Sequence, residues 1–248
     1  MGRPAIRLAP MVLATVLLAP GGLLSMAAAS AGAVGCAPGP APLVLLAASS
    51  LTELADELAS AHRDGTGVPV EVRLSSSATL ARQLQQGLEA DLFLSASPRW
   101  AEAAPGIERR PWLGNRLAWV VRADGPKPAP GAATSLVLAE PDVPVGRYAE
   151  EALAAAGVAL PARVVRGSNA RDTLRKLVAG AADAAVVYVT DAATEPEVEV
   201  LATLPDVGPP PARYVAVLLS ERGRALLATV FAPAPLARAA DLGYEPPP

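Results

Sequence analysis

The sequence predicts an α/β fold of two domains with a ligand cleft between them, and three observations lead there. Short apolar runs end in polar turns and are followed by helical spacing, the strand-then-helix order of open α/β sheets. The stretch ADGPKPAPGAA at 123–133 breaks the composition in mid-chain, and the same order restarts after it. A last strand-and-helix segment from Tyr214 onward can return to the first block, which makes the first domain discontinuous and opens a cleft, the usual place for a ligand.

The elements follow in order. Residues 43–48, LVLLAA, are a continuous apolar run, read as a buried strand, and Ser49, Ser50 and an amphipathic helix over 51–61 follow. Residues 68–74 alternate as a Val-rich strand, 75–77 turn, and Leu80, Leu84 and Leu88 recur at helical spacing before a short strand at 91–94. A strand at 117–121 precedes the break. Beyond it come strands at 136–139, 162–165, 184–188 and 198–202, with helices at 148–156 and 171–179. The GPPP turn at 208–211 leads to a strand at 214–219 and helical material at 221–231. Pro233 interrupts it, and a short helix resumes over 234–240 with Pro235 in its first turn. The implied division is 43–121 for the first part of domain 1, 122–213 for domain 2 and 214–248 for the return segment.

Composition narrows the function. Of 248 residues, 52% are apolar and 18% charged, in clusters too short to span a bilayer repeatedly, so neither a disordered chain nor a polytopic membrane protein fits. With 21 basic against 24 acidic residues and only two Lys, Lys127 and Lys176, there is no electrostatic footprint for nucleic acid. Residues 1–35 carry Arg3 and Arg7, then an apolar run at 8–19 and small residues without any acid, the pattern of an export signal. Cys36 is the only cysteine, which excludes an internal disulfide and a cysteine-built metal site. Ala33, Val34, Gly35 and Cys36 resemble a bacterial lipoprotein signal, with Cys36 lipidated and 36–42, CAPGPAP, a flexible tether.

The polar candidates point to an anion. Ser50, with Glu53 three positions on, reads as a capping box at a helix start, and Ser77 stands before the next helical run. Two helix starts facing one cleft would present hydroxyls and unpaired N–H groups to an anion without any Lys or Arg. Tyr188 ends an apolar strand and could add a hydroxyl. Arg82 and Arg171 read first as solvated side chains, with a lesser role in admitting an anion. Trp100, Trp112 and Trp119 read as packing. A secreted serine hydrolase has little support: there is no GxSxG elbow, and the single histidine, His62, reads as a surface residue or one with a structural role at the C-terminal end of the first helix. Asp142, Glu150, Glu151 and Asp183 lack metal-ligand spacing, so no catalytic group and no cofactor is expected. A receptor for sulfate, phosphate or another small anion stays open on these residues alone.

Several separated segments are more specific. LAASSLTELADELA at 46–59, SSSATLARQLQQGLEADLFLSA at 75–96, GNRLAWVV at 114–121, PDVPVGRYAEEAL at 141–153 and ARDTLRKLVAGAADAAVVYVTDA at 170–192 occur in this order. Together they resemble the periplasmic molybdate-binding proteins of bacterial ABC transporters. The resemblance implies a type II periplasmic-binding-protein fold and a tetrahedral oxyanion, molybdate or tungstate, held in the cleft by Ser50, Ser77, Val145, Ala170 and Tyr188. Ser50, Ser77 and Tyr188 would use side-chain hydroxyls; Val145, in a Pro-x-Gly-x-Tyr turn, and Ala170, before Arg171, would use backbone N–H. The metal would be held through its oxygens and not by direct coordination. The implied protein is an exported monomer, periplasmic or on the cell surface, that serves a membrane permease.

Overall fold

A computed structural model describes residues 39–204 and 212–247. The export segment at 1–35, Cys36 with the first part of the tether, the GPPP turn at 208–211 and Pro248 lie outside the described residues.

The chain runs through β1 (Leu43–Ala48), α1 (Thr52–Thr66), β2 (Val70–Ser75), α2 (Ser77–Gln85), β3 (Leu92–Ser95), α3 (Pro98–Ala103) and β4 (Glu108–Asn115). It continues with β5 (Leu117–Arg122), β6 (Ser135–Ala139), α4 (Pro144–Ala155), β7 (Arg163–Gly167), α5 (Ala170–Val178), β8 (Ala184–Tyr188), α6 (Val189–Ala193) and β9 (Val198–Thr203). Then come β10 (Ala212–Leu218), α7 (Arg224–Val230) and α8 (Pro233–Asp241). Two five-stranded sheets result, ordered β2-β1-β3-β10-β4 and β7-β6-β8-β5-β9. In the first, β1 pairs parallel with β2 and β3, and β10 runs antiparallel between β3 and β4. The second repeats the plan, with β6 parallel to β7 and β8 and β5 antiparallel between β8 and β9.

The apolar character of LVLLAA follows from β1 lying inside its sheet with helices on both faces; Leu45 and Leu46, which point to opposite faces, are both fully buried. Helix α1 buries Leu54, Leu58 and His62, one turn apart each time, and Gly67 ends it in the left-handed region at φ 74° with its N–H on the Arg63 carbonyl. Each of those leucines contributes roughly 1.5–3 kcal/mol on full burial. His62 is therefore not a surface residue: it is 1% exposed, its Nδ1 lies 3.1 Å from Thr229 Oγ1 of α7, and burial pulls its pKa down. One continuous core joins both sheets, from Leu45 and Leu54 through Trp119 and Tyr214 to Leu138 and Val186.

Several boundaries differ from the sequence reading. The strand at 117–121 belongs to the second sheet, because β5 exchanges its hydrogen bonds with β8 and β9, so the chain passes between sheets at Arg116 and not after residue 121. Strand β4, ERRPWLGN, has too many charges and a proline to look like a strand; it is an edge strand, where Pro111 removes no needed donor, and it bulges opposite Tyr214 and Val215. Helix α4 starts at Pro144 rather than 148, with the proline at its first position, where its missing N–H costs nothing. Val145 thus stands in the first turn of a helix, not in a loop. Gly146 lets that turn approach β6: a Cβ there would sit 2.3 Å from the Glu140 carbonyl oxygen and 2.5 Å from that of Ala139.

Candidate functional site

Ser50, Ser77, Val145, Ala170 and Tyr188 come from five separate elements and line one small cavity. Ala48, Ser49, Ser76, Ala96, Val143 and Pro144 complete its wall, so among the described residues no charged side chain faces it. The five are each at most 4% exposed. They meet because β1, β2, β3, β6, β7 and β8 all deliver their carboxyl ends to this place, and the segments that follow begin helices there. A larger open groove, lined in part by Val44, Arg73 and Arg222, lies at the opposite end of β1. Its one buried carboxylate, Asp91, is already engaged by the Val44 N–H and the Ser220 hydroxyl.

The helix starts supply N–H donors. Ser77 and Ala170 are the first residues of α2 and α5, and Val145 is the first residue of α4 that owns an N–H, since Pro144 precedes it. Such N–H groups have no partner inside their helix and carry the positive end of its dipole. Capping side chains are placed so as to leave them free: Ser76 accepts from the Thr79 N–H, and Asn169 from that of Asp172.

The hydroxyls are specifically held. Ser50 is not the cap of a capping box: it lies in a 3₁₀ turn, Ser49–Leu51, ahead of α1, and its Oγ lies 2.9 Å from Tyr214 Oη while Glu53 turns to Arg171. The Tyr244 hydroxyl donates to the Ser50 carbonyl at 2.5 Å. Ser77 Oγ accepts the Ala96 N–H at 2.9 Å, which leaves its own hydrogen to donate elsewhere. Tyr188 is 1% exposed and its Oη has no hydrogen-bond partner among the described residues. Burial, with smaller contributions from Tyr214, Tyr148 and Asp191, pushes its pKa well above the ordinary tyrosine value, so the phenol keeps its proton and can donate.

Neither arginine considered in the sequence is free in solvent or faces the cavity. Arg171, next to Ala170, pairs with Glu53 of α1 and lies 2.7 Å, through Nε, from Asp191 Oδ1. Arg82 of α2 pairs with Asp142, whose carbonyl also accepts Trp100 Nε1 at 3.0 Å. Both ties join a residue on the first-sheet side to one on the second. Glu150, Glu151 and Asp183 are likewise engaged, by Arg166, by Arg147 and by Thr134 with Ser135. No cluster of His, Cys, Asp and Glu among the described residues could hold a metal ion. Sequence reasoning missed Asn115, Tyr214 and Tyr244 behind Ser50, because their roles arise where the return segment closes on β1 and no local spacing announces that.

A cavity of neutral donors between two α/β sheets is the arrangement of a protein that holds a small solute. The chain belongs to the bacterial extracellular solute-binding protein family, whose profile matches residues 43–239. It is 32% identical to the molybdate-binding protein ModA of Escherichia coli over 184 residues, 66% of this chain and 72% of that one. The periplasmic molybdate-binding protein of Azotobacter vinelandii shares the fold, with a TM-score of 0.68 at 18% identity over 83% of this chain and 100% of that one. So does the sulfate-binding protein SubI of Mycobacterium tuberculosis, with a TM-score of 0.66 at 16% identity over 84% and 87%. Among the described residues no helix is long and apolar enough to cross a membrane.

Proposed function

We propose that this protein captures molybdate, and tungstate with it, in the cavity lined by Ser50, Ser77, Val145, Ala170 and Tyr188, and delivers it to an ABC permease. It acts as an exported monomer, tethered through lipidated Cys36. The observation that carries the reading is the Tyr188 hydroxyl, buried without a partner among the described residues in a wall whose other side-chain polar groups are serine hydroxyls, beside the N–H groups of helix starts. A buried polar group without a partner is costly, and a ligand oxygen that accepts from it removes the cost. A dianion has only acceptors to offer, and this wall offers donors. The names of the relatives support the choice of molybdate among such anions.

Neutral donors also explain how the charge is held. No ion pair has to be broken on release, and each hydrogen bond to the anion contributes roughly 1.5–3 kcal/mol, about ten- to a hundredfold in affinity. Molybdate and tungstate are nearly equal in size, whereas sulfate carries the same charge on shorter bonds, so a fixed ring of donors separates them by distance. The test is a calorimetric titration of the purified protein with molybdate, repeated in excess sulfate, with a thermal-shift assay beside it. One-to-one binding that survives sulfate is expected. A folded protein that binds neither molybdate nor tungstate in both assays overturns the reading, and equal affinity for sulfate overturns the specificity.

A further inference from the structure

We propose that Asn115 and Tyr214 form a one-way hydrogen-bond relay that commits the Ser50 hydroxyl to donate into the cavity, which makes both of them positioning residues for capture of a fully deprotonated oxyanion. The inference rests on the oxyanion reading above and adds what makes the site prefer an anion that carries no proton of its own.

A hydroxyl can donate or accept, so a serine in an anion site is useful only if something fixes its direction. Here the direction starts at an amide whose orientation is set. The Arg116 N–H donates to Asn115 Oδ1 at 2.9 Å, and a backbone N–H can only donate, so Oδ1 faces Arg116 and Nδ2 faces the other way. Nδ2 then donates to Thr190 Oγ1 at 2.8 Å and to Tyr214 Oη at 3.3 Å. With Tyr214 Oη accepting from the amide, its single hydrogen is directed along the 2.9 Å contact to Ser50 Oγ. Ser50 accepts, and its own hydrogen turns to the cavity. In the opposite order the Tyr214 hydrogen would have no acceptor among the described residues, and Ser50 would show a lone pair to the anion; both are unfavourable.

Further features fit. Asn115 and Tyr214 are fully buried, so water does not scramble the order of donors. Burial keeps the Tyr214 phenol protonated, with its pKa raised far above the ordinary value. Tyr244 uses its hydrogen on the Ser50 carbonyl and does not compete for Oγ. Ser77 is committed in the same sense by the Ala96 N–H. Asn115 is also the last residue of β4, at the passage to the second sheet, and Thr190 belongs to α6 of that side, so the relay begins where the two halves join.

A wall of committed donors refuses an oxyanion that must itself donate. Monohydrogen phosphate and monohydrogen arsenate carry one O–H that would face Ser50 or Ser77 donor against donor, whereas molybdate, tungstate and sulfate carry none near neutral pH.

The test is a double-mutant cycle of Tyr214→Phe and Ser50→Ala, with dissociation constants for molybdate, tungstate, sulfate and phosphate by calorimetry. Tyr214→Phe alone is expected to weaken the best-bound of the first three about three- to tenfold, the worth of one neutral hydrogen bond. In the Ser50→Ala background the same change should cost less than about twofold, because Tyr214 acts only through Ser50. The preference over phosphate should narrow in Tyr214→Phe, since Ser50 is then free to accept; a merely structural tyrosine would weaken all four anions alike. Asn115→Ala, which leaves the cavity wall intact, should reproduce both effects if Tyr214→Phe fails to fold. Equal costs in the two backgrounds, or an unchanged phosphate preference, overturn the relay while the oxyanion reading stands. A wild-type protein that binds none of the four overturns both.

Discussion

Replacing Tyr188 by phenylalanine should move affinity and ligand-free stability in opposite directions. The ring stays, so packing against Tyr214, whose centroid is 6.2 Å away, is kept, and only a hydroxyl leaves. That hydroxyl has no protein partner among the described residues and sits at 1% exposure. Its burial costs the ligand-free fold roughly 1–3 kcal/mol. At about 2–4 °C per kcal/mol for a domain of this size, the variant should melt roughly 2–12 °C higher than wild type without ligand. With molybdate this advantage is largely cancelled, because one hydrogen bond to a dianion is lost, about ten- to a hundredfold in Kd. The stabilisation gained from a fixed excess of ligand shrinks by the same free energy. Calorimetric titration gives Kd, and scanning calorimetry with and without molybdate gives both melting temperatures. A variant that melts lower without ligand and binds as tightly as wild type would refute the argument, since the hydroxyl would then have a protein partner and no ligand.

Asp191 carries a pH dependence: burial, opposed by Arg171 and helped by Glu53, raises its pKa to about 7. Because the folded value exceeds the unfolded one near 4, the fold takes up a proton in this window, and its contribution makes stability fall as pH rises from about 4 through 7. Urea unfolding of Asp191→Asn at pH 5 and pH 8 should show that slope flattened; an unchanged slope would count against it. Gly146→Ala drives a Cβ to 2.3 Å from a backbone carbonyl oxygen, so thermal denaturation should show a loss of roughly 1–3 kcal/mol, with weaker molybdate binding because the α4 start that carries Val145 is displaced. Arg82→Ala removes a half-exposed ion pair with Asp142 and should change the molybdate Kd by less than about fivefold, as a surface pair is worth roughly 0–1 kcal/mol.

Much of the fold could be read from the sequence because buried parallel strands leave a strong mark: LVLLAA and the run ending at Tyr188 are apolar on both faces, and polar turns follow them. What escaped was set by tertiary position. ERRPWLGN is a strand only because it lies at an edge, and Leu117–Arg122 looks the same whichever sheet it joins, so the passage at Arg116 was placed too late. The cavity wall was named through the family resemblance, and the structure places all five residues together. The groups behind Ser50 were invisible for a physical reason. Asn115 and Tyr214 lie 99 residues apart, and their hydrogen bonds exist only once β10 has returned beside β4. The Ser50-Glu53 capping pattern misled in the same way, since a serine whose oxygen is taken by Tyr214 does not cap a helix.

The same distribution of bonds bears on what holds the two halves together. Ser50 and Ser77 belong to the first-sheet side, and Val145, Ala170 and Tyr188 to the second, so an anion held as proposed would bond to both at once. The Arg82 and Asp142 tie lies at the rim, where water screens it, and by itself contributes roughly 0–1 kcal/mol. The ligand's bonds form out of water and are individually about two to three times stronger. A ligand shifts an opening equilibrium only by its difference in affinity for the two states, and an anion that bonds to both walls has nearly all of its affinity in the closed one. On the proposed function, closure would depend more on the cavity's bonds than on that exposed pair. An anion too small to reach both walls would bond to one side alone, so on the proposed function the donor ring that sorts ligands by size would also set how strongly each favours a closed form.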